Sequence, residues 1–504
     1  MEFTVVFVHG WSVTNTNTYG QLPQRLVDEA TARGHVIKTR QIYLGRYISF
    51  HDEVEVADIA RAFAKAVEEE LDPASGKRFV CITHSTGGPV IREWWRRYHQ
   101  GEGATLCPMS HLIMLAPANY GSALAVLGKG KLSRLKSWWD GVEPGQGVLD
   151  WLVLGSAEAW NLNEAWIKSK GRHLGPDGVF PFVITGQTID RALYDHLNNY
   201  TGELGSDGVV RVAAANLQSN FVRLEQQAPV EVPGKAGVFH APELEVAQVI
   251  AAPKTPLRIM AGKSHSGTTK GIMRSVKAAV GRKADAETVD AIFACMTVDS
   301  VAGYEAIADQ FAAASAEVQS DELLEVERKR LWWDSYFIHD RFSMVIFRIT
   351  DHEGHPVTDF DLVLTAGEDS SPDHLPKGFF ADRQLNPKSR NTVTYYLNHS
   401  IMAGCDPVLD TDDDGKPKEV RPRVVGATSL GFRVTARPDS GFAHYLPCSL
   451  TASADVLKKV VVPNATTMVD IVLQRVVGEG TFRLDRGVDS GSFKSTRPGK
   501  PIDA

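Results

Sequence analysis

Apolar positions run through the first half of the chain in two alternating rhythms. The short β-branched and aromatic run at 4–8 has the length and density of a strand buried on both faces, and 36–44, 79–83, 112–115, 182–185 and 257–261 are further strand candidates. Between them, 21–33, 54–70 and 89–99 carry helical spacing. In 54–70 the residues Val56, Ile59, Ala60, Phe63 and Val67 fall on one helical face, and Pro89 fits a first helical turn, where its missing N–H breaks no bond. Strand and helix in alternation predict right-handed βαβ units. The expected fold class is α/β, a mostly parallel, helix-covered sheet with its functional loops at the carboxyl ends of the strands. The Ala-, Glu- and Lys-rich stretch from 270, with helical spacing over 284–319, predicts helices that close this unit.

The rhythm changes near residue 342. Alternating stretches at 344–349, 360–364, 392–397, 430–435 and 468–473 are separated by clusters of Gly, Pro, Asp and Asn, without helices between them. This pattern predicts an antiparallel β-sandwich. The organisation expected is one unit at 1–328 with an insertion at about 120–180, an all-β sandwich at 335–487, and a loose Ser-, Gly-, Lys- and Pro-rich tail at 488–504.

Composition narrows the class of function. A length of 504 residues leaves room for two to four domains. With 54 basic and 61 acidic residues, the net charge of -7 offers no basic excess to hold nucleic acid. No apolar run approaches the ~20 residues of a membrane-spanning helix. The opening MEFTVVFVHG lacks the basic region, long apolar core and cleavage site of a secretory signal, so a cytoplasmic protein, or one exported by a signal-independent route, is expected. Cys81, Cys107, Cys295, Cys405 and Cys448 are scattered without CxxC pairs, which argues against a zinc site or a dense disulfide framework; Cys405 and Cys448 remain a candidate bridge.

Candidate chemistry concentrates where the 79–83 run ends, at Thr83-His84-Ser85-Thr86-Gly87-Gly88. A serine on a tight strand-to-helix turn presents its hydroxyl outward, and the positions two before and two after it, here Thr83 and Gly87, must be small because the backbone crowds there. The helix behind it points its positive end at the place where an oxyanion develops. A serine hydroxyl is a poor nucleophile alone. It needs a histidine to take its proton and an acid to orient that histidine.

This segment resembles the nucleophile elbow of the α/β-hydrolase fold, with Thr83 replacing the usual first glycine of GxSxG. Four further pieces fall in the fold's order: His9-Gly10-Trp11, the APANYGS run at 116–122, the SDGVV run at 206–210, and Ser264-His265-Ser266-Gly267. Over residues 3–275 the chain is similar to bacterial lipases and esterases. The resemblance implies Ser85 as nucleophile, Asp207 as acid and His265 as base, with the backbone amides of Trp11 and Thr86 as the oxyanion hole and His9 bracing its loop. Asp190 and Asp195 compete for the acid's role, lying nearer the 182–185 strand. His240 is a weaker base because no core strand leads into it.

The insertion holds Trp138, Trp139, Trp151, Trp160 and Trp166, half of the ten tryptophans, where the fold places a cap over the active site. Either these rings line an acyl tunnel or lipid interface, with Trp138, Trp139 and Trp151 contacting substrate, or they pack the cap to the core. The implied reaction is hydrolysis of a carboxylic ester or lipid, as a lipase, phospholipase or carboxylesterase, without a cofactor. An acyltransferase or thioesterase using the same three residues is one alternative, and a catalytically silent hydrolase-fold binding module is another. Asp410, Asp412 and Asp414 have the DxDxDG spacing of a calcium loop, but Arg421 stands at the twelfth position where a bidentate glutamate belongs, which favours a solvated acidic turn. The β-sandwich suits peripheral contact with a membrane or a partner protein. The two-domain layout is similar to lipase effectors of the type VI secretion system.

Overall fold

The computed structural model describes residues 1–9, 17–49, 51–71, 76–127, 145–189, 203–234, 243–279, 283–328, 334–411 and 415–477. Six strands form the first sheet: β1 (Glu2–His9), β2 (Val36–Tyr43), β3 (Phe79–His84), β4 (Met109–Leu115), β5 (Phe180–Gly186) and β8 (Leu257–Met260). They lie in the order β2-β1-β3-β4-β5-β8, and every pairing is parallel. These are the six runs that the sequence predicts. The inner strands β1, β3, β4 and β5 are largely apolar because both faces of a parallel sheet are covered, whereas the edge strand β2 carries Lys38, Thr39, Arg40 and Gln41 at its centre.

One face packs on α1 (Leu22–Ala32), α7 (Lys283–Met296) and α8 (Val301–Asp321), with Phe7, Ile82, Ile113, Phe182, Ile292 and Phe311 in a common cluster. The other face packs on α2 (Val56–Glu70), α3 (Gly87–His99), α4 (Gln146–Leu152) and α5 (Ala157–Lys168). A four-residue helix, α6 (Val212–Ala215), follows the SDGVV run.

Between β5 and β8 the chain leaves this sheet. Strands β6 (Asn220–Gln226) and β7 (Leu244–Ala251) belong to a second sheet, completed by β11 (Phe342–Asp351), β13 (Phe380–Leu385), β14 (Thr392–Asn398) and β20 (Thr466–Leu473), in the order β13-β14-β11-β20-β6-β7. A third sheet of β12 (Phe360–Ala366), β17 (Ser429–Ala436) and β19 (Cys448–Ser453) faces it across another apolar cluster. Three ribbons, β9 (Leu324–Glu327) with β10 (Ser335–Ile338), β15 (Val408–Thr411) with β16 (Pro417–Arg421), and β18 (Ala443–Tyr445) with β21 (Arg475–Val477), decorate the edges.

Two expectations change here. The sandwich is mixed rather than antiparallel, since β20 runs parallel to both β11 and β6. A long connection carrying the helix Ala454–Val460 precedes β20, and such a crossover lets a strand return parallel. The sheet expected from residues 335–487 alone also takes β6 and β7 from within 1–328. Its central strands are buried on both faces: Met344 and Ile346 point into the helical layer, Val345 and Phe347 into the sandwich.

Candidate active site

Ser85 sits where β3 gives way to α3, with φ of 52°, a left-handed conformation that a non-glycine residue adopts only under constraint. Its amide donates to Leu115 O at the end of β4 (3.1 Å), and its carbonyl accepts from Gly88 N and Ala118 N. A Cβ built on Gly87 would lie 3.2 Å from Thr83 Cβ. The turn therefore tolerates threonine at 83 because its partner is glycine. Thr83 Oγ1 is buried with no hydrogen-bond partner among the described residues. Thr86 opens α3, where first-turn amides have no acceptor inside the helix and face a developing negative charge.

Asp207 and His265 both reach this turn on loops far downstream of Ser85 in the sequence. His265 Nε2 lies 3.1 Å from Ser85 Oγ, and His265 Nδ1 lies 2.9 Å from Asp207 Oδ2. Both Asp207 and His265 are 0% exposed. The Asp207 Oδ1 atom accepts from the amides of Val209 (3.0 Å) and Val210 (2.8 Å), so N–H donors meet both carboxylate oxygens. With Asp207 accepting at Nδ1, the imidazole holds its proton there and presents a lone pair to the serine hydroxyl. The two loops are also joined by their backbones, His265 N to Asp207 O at 2.9 Å.

Two more residues support this arrangement without having been singled out from the sequence. His84 Nε2 donates to His265 O at 3.0 Å, and the two rings lie 4.7 Å apart. Burial, then the neighbouring His265, push the His84 imidazole well below its ordinary range, which keeps it neutral. Ser122 Oγ donates to Val209 O at 2.6 Å, tying the 116–122 run to the acid's loop. His84 lies inside the elbow motif. For Ser122 the only signal is its place at the end of the APANYGS run.

Trp11, Trp138, Trp139, Asp190, Asp195, His240, Asp412, Asp414 and the 488–504 tail lie outside the described residues. Trp151 is 5% exposed and belongs, with Trp160 and Trp166, to the core between the first two sheets. Trp160 packs against Phe221 and under the Arg348 guanidinium (4.3 Å), while Trp166 Nε1 donates to Leu217 O. These three rings thus pack the insertion in place. Asp410 accepts from Arg328 (2.9 Å) within β15, and Arg421 pairs with Asp340. Cys405 and Cys448 are free thiols. Among the described residues, Asp351, Glu353 and His355 form one group of metal-type ligands, but Asp351 is engaged in capping the amides of Glu353 and His355 in a turn.

Neither a protein-family model nor a curated protein matches the chain. Among solved structures, phospholipase PlaB from Legionella pneumophila is 40% identical with a TM-score of 0.82, over 100% of this chain and 99% of that one. The same phospholipase in complex with thio-NAD is 39% identical with a TM-score of 0.81, over the whole of both chains. Identity at that level along the entire length, on the parallel sheet and β-rich C-terminal part just described, means that the chain belongs to the α/β-hydrolase family of the Legionella phospholipase PlaB.

Proposed function

We propose that this protein is a phospholipase that cleaves acyl esters through an acyl-enzyme on Ser85. The observation that carries the reading is the unbroken line Ser85 Oγ to His265 Nε2 to Asp207 Oδ2, at 3.1 and 2.9 Å, in a chain similar over its full length to a phospholipase. Ser85 Oγ attacks the ester carbonyl while its proton passes to His265 Nε2. Asp207 holds the imidazole and stabilises the imidazolium. The oxyanion is received by the Thr86 amide and, in this reading, by the Trp11 amide. His265 then protonates the departing alcohol, and a water activated by the same nitrogen releases the acid.

Ser85→Ala is expected to abolish hydrolysis of p-nitrophenyl esters and diacyl phospholipids and to block labelling by a fluorophosphonate, with unchanged circular dichroism. Retained turnover would sink the assignment, and an unreactive Ser85 in the native protein would favour a binding module. Adding lysophospholipid and acyl-CoA as acceptor and donor separates hydrolysis from acyl transfer or thioester cleavage, since a transferase would yield acylated acceptor in place of free acid. No described helix is long and apolar enough to cross a membrane, so contact with lipid is proposed to be peripheral, checked by co-sedimentation with phospholipid vesicles. The thio-NAD held by the Legionella relative makes NAD a ligand to test by thermal shift. It has no part in the steps above.

A further inference from the structure

The loop that bears Asp207 is gripped from the C-terminal side of the molecule. Arg211, four residues after the acid, is 1% exposed. Its guanidinium binds Glu203 through Nε (2.8 Å) and Nη2 (2.7 Å), and Nη2 also reaches Asp382 on β13. The same guanidinium stacks over the Tyr396 ring of β14 at 4.1 Å. The Tyr396 hydroxyl shares its proton between Leu204 O (3.0 Å) and Gly205 O (3.1 Å), and its ring stacks on Phe342 of β11 at 4.8 Å. Gly205 has φ of 73°, and a Cβ there would lie 2.4 Å from the Tyr396 oxygen. The fit leaves no room for a side chain.

These contacts close a short circuit around the acid. Gly205 O accepts from Val212 N (2.9 Å), Ser206 bridges to Arg211, and the turn between them points the Asp207 carboxylate at His265. Glu203, Asp382 and Tyr396 are the charged or titratable groups that face Arg211, while Asp207, His84 and Ser85 face His265. A buried guanidinium with Nη1 unmatched among the described residues depends on its two carboxylates, so displacing one of them disturbs the loop rather than a side chain alone.

We propose that Arg211, Asp382 and Tyr396 are positioning residues: through them the C-terminal sheet holds the 203–211 loop, and with it the Asp207 carboxylate, in register with His265. The inference rests on the Ser85, His265 and Asp207 reading. It adds that the β-rich part is a structural component of the active site.

A double-mutant cycle on the full chain, with a short soluble p-nitrophenyl ester, tests this. Tyr396→Phe keeps the ring and its stacking and removes only the hydroxyl. It is expected to lower kcat roughly ten- to a hundredfold, with KM within about twofold, as a misplacement of a catalytic group does. Asp382→Ala should act in the same way, and Asp382→Asn, which keeps an acceptor for Arg211, should recover most of the loss. In an Asp207→Asn background, Tyr396→Phe should have almost no further effect. A Tyr396→Phe enzyme with native kcat overturns the proposal, as does a full, additive loss on top of Asp207→Asn. If Asp207→Asn alone keeps native activity, the three-residue reading itself fails and the strut falls with it.

Discussion

At the scale of single residues, the elbow contains an unsatisfied group whose removal is informative. Thr83 is completely buried and its hydroxyl has no partner among the described residues, while its methyl and Cβ fill the space left by Gly87. Valine has the same shape without the stranded oxygen. Thr83→Val is expected to raise stability by about 1 kcal/mol, the lower end of what an unmatched buried hydroxyl costs, with ester hydrolysis within about twofold of native; urea unfolding and a steady-state assay check both. Burial and the nearby Arg341 push His399 down to about 4, and its Nδ1 is unmatched among the described residues. The unfolded chain then binds the proton first as pH falls. The stability held by neutral His399 is complete above about pH 6.5 and is lost progressively down to about pH 4. Between pH 7 and 5 this single group is expected to cost roughly 2 kcal/mol. His399→Gln should therefore lose less stability than the native protein over that interval, and equal losses in the two proteins would rule the assignment out.

At the scale of elements, what could be read depended on whether a segment's partners were local. The inner strands of the first sheet and helices α1 to α3 were legible because parallel βαβ units leave dense apolar runs and amphipathic spacing. The elbow and the loops of Asp207 and His265 were legible because each follows such a strand or carries a distinctive dipeptide. β6 and β7 were not, since β7 alternates too weakly, being mostly exposed, and the pairing of β6 with β20 joins residues more than two hundred positions apart. Arg211 left a trace only as one charge inside Val209-Val210-Arg211-Val212, an anomaly whose partners lie on β13 and β14. The tryptophans of α4 and α5 were ambiguous for a similar reason: a ring that packs and a ring that binds acyl chain look alike in sequence. In the structure Trp160 is wedged between Phe221 of β6 and Arg348 of β11. Trp160→Ala is accordingly expected to lower unfolding free energy by about 3–5 kcal/mol, while the ratio of kcat/KM for butyrate and laurate esters stays within about twofold. A large change in that ratio would put the ring in the substrate's path.

At the scale of the whole molecule, the two halves of the chain share their second sheet and the cluster beneath it. Phe221 from the first half and Met344, Ile346, Tyr396 and Met468 from the second lie in one cluster with the strands and helices that carry Ser85. Removing everything after residue 328 would strip β6 of β20, leave an apolar face of the helical layer uncovered, and release the Asp207 loop from Tyr396 and Asp382. An open strand edge beside uncovered apolar surface is a template for aggregation. The 1–328 fragment is expected to be insoluble or, if recovered, to lack ester hydrolysis, whereas two autonomous domains joined by a linker would give a soluble, active fragment. The intact protein offers the complementary measurement. Because the shared sheet couples both parts, differential scanning calorimetry should show one main endotherm, and the temperature at which esterase activity disappears should coincide with it. Two well-separated transitions, with activity surviving the first, would mean that the β-rich part can unfold while the Asp207 loop stays in place, and the coupling through β6 and β20 would then be too weak to make the molecule a single cooperative unit.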